Sequence, residues 1–452
     1  MSNYISFIER WWHRFEVFWL LLIIVFFSLF FIGLYINGFV SSDIKNSILY
    51  VYVTALVSSL VSIYWWLSHR IQKCPLDRIG FLVSVRSESV QESIAIKRDF
   101  GEEITKLLKN TLIHVMQLNP PYVNKIISNE TALKYANKCR AHFHIYGDVR
   151  KRRLNNKEVY AIRLDGMIRH APTTGDNQRG LSKEMGEVLP LKINLHLEND
   201  LSGFEFTSVW MAESTKYVIA TAAMLSGDYD IAIHLLEELD SSKKQLEKRL
   251  RKAPVDGIKM LLKKLPERLA SAYLFSSRAQ HLKWRETRNL SDLDAGWDRI
   301  KKYNNLIKNT RDYHLYCAIW LFVSKRDISG SINSIMSCVA QHISDPTWRY
   351  SAAFLEAYRG NEDKALRYYE GAIDFGVDPG LFFEVEEFIS WVLSIEPERY
   401  QLYFCLGLIN YKAKGDSARA KQDLEKFLQL RVDNNFLKFA TIAEEIMISI
   451  GK

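Results

Sequence analysis

Residues 227–239 read GDYDIAIHLLEEL, residues 360–373 read GNEDKALRYYEGAI and residues 415–428 read GDSARAKQDLEKFL. The three stretches share one spacing. Each opens with Gly and then Asp or Asn, places Ala232, Ala365 or Ala420 five residues after the glycine, and sets Leu236, Tyr369 or Leu424 four residues later. Glycine takes the left-handed conformation that ends one helix and lets the chain turn into the next. The alanine admits close approach of the preceding helix, and the bulky residue one turn on fills the groove between them. Upstream segments offer the facing residues: Tyr217, Ala220 and Met224; Ala352, Ala353 and Ala357; Phe404, Gly407 and Tyr411. Repeated helical hairpins are therefore expected from about residue 204 to 452.

These hairpins resemble the tetratricopeptide repeat (TPR), with Leu406-Gly407 matching its L-G pair. Gly407 and Gly415 stand one residue further apart than that pattern has them, so a distorted turn is expected there. Between residues 241 and 342 the repeat is degenerate, but YHLYCAIWLFVSKRDISGSINSIMSCV still reads as a helix pair, with Lys325-Arg326-Asp327 in place of the glycine turn. A non-repeating helical bundle is the competing reading. The resemblance implies an α-solenoid with a groove for a protein or peptide ligand. Lys216, Tyr217, Arg349, Tyr350, Tyr403 and Phe404 on the upstream helices are the candidate partner-binding residues. The basic stretch over 243–264 reads as the wet face of a linker helix, with contact to a membrane or an acidic partner as the alternative.

Between residues 71 and 203 the pattern is that of a small α/β domain. Strands are expected at 78–85 (RIGFLVSV), 113–118, 141–149 and 159–168, a helix over 94–112 and a short one over 129–139. The stretch RKRRLNNKE reads as a hairpin turn centred on Asn155 and Asn156. APTTGDNQRG reads as a loop or lid, and LKINLHL as a further strand. The strand RIGFLVSV, the helix KRDFGEEITKLLKN and the stretch HFHIYGDVRKRRLNNKEVYAIRLDGMI resemble the α/β domain of TolB amino-terminal, FlgO-like and CsgG-like proteins. That resemblance implies interaction and assembly and carries no catalytic residue. His142 and His144 share strand parity near His170, but a hydrogen-bonded strand face outweighs a metal site at this spacing. Arg150, Lys151, Arg152 and Arg153 form the densest basic run. They read first as a solvated hairpin tip and second as a contact for lipid or nucleic-acid phosphate.

Two runs without a charge, VFWLLLIIVFFSLFFIGLYI over 17–36 and ILYVYVTALVSSLVSIYWWL over 48–67, are each twenty residues long. That length spans a bilayer core as a helix. A cleaved leader fits less well, since a second run follows almost at once. A membrane hairpin over residues 1–70 is expected. Arg10, Arg14, Arg70, Lys73 and Arg78 flank it and place both termini in the cytoplasm of an inner-membrane protein.

The whole chain has 452 residues, 25% of them charged, a net charge of +8 and five scattered cysteines. This composition excludes a disordered chain, and the cysteine spacing excludes a disulfide framework or a zinc module. There is no P-loop, G-x-S-x-G, H-E-x-x-H or dinucleotide fingerprint. No catalytic residue, cofactor or metal is assigned. The expected fold class is a membrane helical hairpin (1–70), a small α/β domain (71–203) and a TPR-like α-helical repeat region (204–452). The expected function is a membrane-anchored adaptor or scaffold binding a protein or peptide, compatible with a homo-oligomer. The runner-up is a membrane effector or sensor in stress or phage defence acting through its hairpin. A cryptic hydrolase or nucleic-acid-binding protein is the third reading, and nucleic acid is the disfavoured partner.

Overall fold

The computed structural model describes scattered helical positions between Trp19 and Ile63, and then residues 71–87, 100–154, 157–169, 174–189, 192–196, 200–252, 256–302, 307–341, 347–374, 379–432 and 435–451. The chain forms two compact units, Met1–Leu269 and Ala270–Lys452.

The expected membrane hairpin is corrected. Among the described residues no helix is long and apolar enough to cross a membrane. Much of the two apolar runs lies outside the described residues. The fold class is therefore a mostly helical chain carrying one small mixed sheet. The inner-membrane location and the cytoplasmic termini, which rested on the hairpin, fall with it.

In the first unit, β1 (Ile79–Ser87), β2 (Ile113–Gln117), β3 (Phe143–Leu154), β4 (Lys157–Ile168) and β5 (Lys192–His196) form a sheet of order β2-β1-β3-β4-β5. β1 runs parallel to β2 and β3, whereas β3–β4 and β4–β5 are antiparallel. Between β1 and β2 lies α1 (Glu102–Leu108). Between β2 and β3 lie the single turn α2 (Pro120–Val123) and α3 (Asn129–Cys139). Alternation along β1 decides the two faces. Leu82 joins Met116, Ala132, Tyr135 and Ala136 in a core under α3, while Phe81 stacks on Phe143 with ring centroids 5.2 Å apart. A capping box between Ser128 and Thr131 starts α3.

Two expectations change here. The basic run is strand, not turn: the β3–β4 register continues to Leu154 opposite Lys157, around residues 155–156 outside the described residues. The expected loop after residue 171 contains α4 (Gly175–Val188). Its Leu181, Met185 and Val188 are buried, at spacings of four and three, so they lie on one face.

α4 docks on α5 (Asp200–Leu225), which also packs against α1, β5 and α6 (Tyr229–Lys252). Trp210 Nε1–H and Ser214 Oγ–H both donate to the Val188 carbonyl at the end of α4, at 2.8 and 3.0 Å. From Thr207 to Ala222 every residue of α5 is buried, so this helix is a core element with no wet face. α7 (Asp256–Thr287) follows, and the boundary between the units falls within it.

The second unit adds α8 (Leu290–Lys302), α9 (Arg311–Lys325), α10 (Ile328–Gln341), α11 (Thr347–Tyr358), α12 (Glu362–Ile373), α13 (Pro379–Ile395), α14 (Gln401–Leu408), α15 (Ser417–Leu430) and α16 (Leu437–Ile450). Helices α9 and α10, α11 and α12, and α14 and α15 pack as consecutive pairs, as do α5 and α6 in the first unit. Gly227, Gly360 and Gly415 all have positive φ, at 82°, 88° and 68°. The residues expected at each helix contact are buried: Ala232, Ala365 and Ala420, with Leu236, Tyr369 and Leu424.

The turns close by a common bond. Asp228 N–H reaches the Ala223 carbonyl and Asn361 N–H the Glu356 carbonyl, each at 2.8 Å and five residues back. Such bonds satisfy carbonyls that the helix end leaves open. Asn361 and Asp416 then accept from the N–H of Lys364 and Arg419, capping the next helix, which explains the polar residue after Gly360 and Gly415. In the third copy the extra residue is absorbed by a π-helical turn, Ile409–Ala413. There Asp416 N–H reaches Asn410, six residues back, at 2.8 Å. At the degenerate pair Arg326 holds the left-handed position itself, φ 50°, and its guanidinium donates to the Phe322 and Val323 carbonyls.

Gly227 has open space where a Cβ would sit, so Gly227→Ala tests backbone conformation alone. A loss of about 1 kcal/mol is expected, with no change in the dependence of unfolding on urea beyond the midpoint.

Candidate functional site

The helix α7 carries His281, Trp284, Arg285 and Arg288, the i, i+3, i+4, i+7 spacing that puts four side chains on one face. In the second unit this face walls a cavity of about 150 Å³. Ala318 and Phe322 of α9, Ile335 of α10, Tyr350 and Phe354 of α11, and Glu384, Glu387 and Phe388 of α13 complete it.

The floor is aromatic. Phe322, Phe354 and Phe388 meet pairwise at centroid distances of 5.1 to 5.9 Å, with the Phe322–Phe354 and Phe354–Phe388 pairs edge to face. Trp284 meets Trp391 edge to face at 5.4 Å. Such contacts add specific geometry to the burial of large apolar area. Trp284 Nε1 and Tyr350 Oη are buried behind this wall without a hydrogen-bond partner, and neither presents surface to the cavity. Each has given up water without a replacement, which costs free energy.

The rim is ionic and reaches solvent. Arg285 pairs with Glu384 at 2.9 Å and Glu387 at 2.8 Å, and Arg288 Nη2 lies 2.5 Å from Glu387. Arg288 ends α7 in the left-handed conformation, φ 56°, and its guanidinium lies 5.1 Å from the ring centres of both Trp284 and Trp391. Two cations face two carboxylates, so the rim is balanced in charge. Burial, with Arg285, Arg278 and Arg288 nearby, pushes the His281 imidazole down to about 4, so it is neutral at pH 7.

Of the residues singled out from the sequence, Tyr350 alone lines this cavity. Lys216 and Tyr217 are buried in α5 of the first unit, where Lys216 sits 3.6 Å from Glu213 and 3.5 Å from Glu238. Arg349 is half-buried and donates to the Gly371 carbonyl at 2.5 Å. Tyr403 is half-buried beneath the Lys426 ammonium, 4.3 Å from its ring centre. Phe404 is core, stacked on Phe439 at 4.1 Å. Arg150 is paired with Asp148 at 2.7 Å. Lys151, Arg152 and Arg153 lie in β3 opposite Tyr160, Val159 and Glu158, and their side chains fall outside what is described.

The histidine pair serves the sheet. His142 Nδ1 accepts from the Gly80 N–H at 2.9 Å. His144 is buried, its Nδ1 3.2 Å from the Ala132 carbonyl and its Nε2 2.8 Å from Ser84 Oγ. A carbonyl can only accept, so the proton is assigned to Nδ1, and Nε2 takes the Ser84 hydroxyl proton. Burial, against the Ala132 bond, holds this imidazole down at about 4. The unfolded state then binds a proton that the native state refuses between about pH 6.5 and 4, so His144 contributes stability above 6.5 that is lost as pH falls to 4. Urea unfolding at pH 7.5 and 4.5 should show about 2–3 kcal/mol lost from this source. His144→Gln should remove that part of the pH dependence.

Among the described residues no group of three His, Cys, Asp or Glu side chains is placed to hold a metal ion. The cavity residues other than Tyr350 escaped the sequence reading, although HLKWRETR over 281–288 carried a helical stripe. No family model matches the chain, and no curated protein matches it.

Proposed function

We propose that the chain is a non-enzymatic adaptor that binds a segment of another protein through its second unit and seats one side chain of that segment in the aromatic cavity. The observation that carries this reading is a cavity of about 150 Å³ floored by Phe322, Phe354 and Phe388 and open to solvent at an ionic rim. A site of that kind binds by shape and a few placed polar groups. The tetratricopeptide-like reading of the helix pairs supports a protein ligand, as such pairs are suited to extended segments. The resemblance of the first unit to assembly domains of the TolB amino-terminal, FlgO-like and CsgG-like kind supports a role in bringing proteins together.

Selection of peptides from a random library on the full chain tests this. Enriched peptides should share one large apolar or aromatic residue. Ala318→Phe, which plugs the cavity from α9, should weaken them at least tenfold while leaving the circular dichroism unchanged. Peptides that bind the plugged variant equally well would refute the assignment of the site.

A further inference from the structure

We infer that the partner segment seated at this cavity carries opposite charges on the two sides of its apolar anchor, an acidic residue over Arg288 and a basic residue over Glu384. This rests on the adaptor reading and gives the bound segment a polarity.

The mouth is an ordered ladder of charge. Arg285 reaches Glu384 from Nη1 and Glu387 from Nη2, and Arg288 shares Glu387 with it. The order is therefore Arg288, Glu387, Arg285, Glu384, and all four side chains line the cavity. The two inner groups each meet two opposite charges. Among the described residues, the two outer groups each meet one. The ladder is neutral as a whole, but it ends in a cation on one side and a carboxylate on the other.

Both ends reach solvent. The Arg288 side chain is 24% exposed and that of Glu384 is 56% exposed. The rings of Trp284 and Trp391 hold the Arg288 guanidinium at the mouth. Burial, together with the charge of Arg285, outweighs Glu387 and lowers the Arg288 pKa, so one shared carboxylate under-compensates this cation.

The ladder can take a partner at each end without orphaning a charge. A carboxylate arriving at Arg288 leaves Glu387 to Arg285, and an ammonium arriving at Glu384 leaves Arg285 to Glu387. The opposite polarity sets carboxylate against carboxylate and cation against cation, which is penalised. Between the ends, the floor of Phe322, Phe354 and Phe388 offers no charge, so the residue seated there is apolar. A solvent-reaching ion pair is worth a factor of up to about five in binding. The two ends together therefore give about a tenfold preference for one order of charge.

The test selects, on the full chain, from a library of capped peptides with a central phenylalanine and five randomised positions on each side. Enriched peptides should carry an acidic residue on one side of the phenylalanine and a basic residue on the other, in one order. The best of them is then made again with its acidic and basic residues exchanged, and calorimetry should show about tenfold weaker binding. Arg288→Gln should remove the preference for the acid alone, Glu384→Gln that for the base alone, and Arg288→Lys should keep both. Enriched peptides without a charge order, or equal binding of the original and exchanged peptides, overturn the inference and leave the adaptor reading standing. An acid preference unchanged in Arg288→Gln overturns it as well. A library from which nothing is enriched overturns both.

Discussion

Arg268→Met is expected to cost the first unit about 3–5 kcal/mol at pH 7, the usual result of removing one partner from a buried ion pair. Arg268 on α7 donates from Nε to Glu184 Oε1 at 2.9 Å and from Nη2 to Oε2, and the Tyr217 hydroxyl donates to the same carboxylate. Glu184 is only 5% exposed, so the substitution leaves a carboxylate out of water with the Tyr217 phenol as its hydrogen-bond partner and the Lys264 charge nearby. Burial pushes the Glu184 carboxyl up, but the bonds from Arg268 and Tyr217 outweigh it and hold the group below the usual glutamate range. With its native value depressed, the group contributes stability above the unfolded value of about 4.3, lost as pH falls through the lower native one. In Arg268→Met burial still pushes the carboxyl up while only the Tyr217 bond and the Lys264 charge pull it down, so the depression shrinks. The deficit should therefore be largest at pH 7 and shrink toward pH 4. Urea unfolding at both values measures this, and Glu184→Leu combined with Arg268→Met should recover most of the loss. A constant deficit across that range would mean that the pair acts through packing alone.

That network also shows what the sequence hid. Leu181, Met185 and Val188 mark the buried stripe of α4, but Gly175, Gly180 and Gly186 lower its helix propensity and read as a loop. Only the docking of α4 on Trp210, Ser214 and Tyr217 supplies the missing stabilisation. The same docking buries the face of α5 that a repeat pattern would offer to a ligand. The glycine turns were legible because their cause is local: a left-handed residue, a cap and a small contact residue lie within ten positions. Even the π-helical turn was foreshadowed by one surplus residue between Gly407 and Gly415. The cavity was not legible, because its ion pairs join Arg285 and Arg288 to Glu384 and Glu387, about a hundred positions away, and no periodicity links the two helices. The apolar runs over 17–36 and 48–67 misled by composition: hydropathy measures transfer into an apolar medium, and it led to a spanning helix that is not found among the described residues.

Phe404→Ala is the second substitution with a large effect, and it separates a core role from the partner-facing role that the repeat pattern implies. Phe404 is fully buried, its ring stacked on Phe439 at 4.1 Å and tilted against Phe427 at 5.7 Å. Its helix, α14, packs on α11, α15 and α16, and at Gly407 a Cβ would come within 2.5 Å of Leu424. Packing this close leaves little room for collapse around a truncated ring, so the loss includes both transfer and cavity terms. About 3–5 kcal/mol is expected, with Phe404→Leu costing markedly less. The neighbouring Tyr403→Ala removes a half-buried ring and a cation–π contact with Lys426, and should cost about 1 kcal/mol. Below its melting temperature Phe404→Ala should still bind the selected library peptides as tightly as the unaltered chain, since Phe404 does not line the cavity. A variant that melts normally but no longer binds library peptides would place the ligand on α14 instead, and would restore Phe404 to the contact surface.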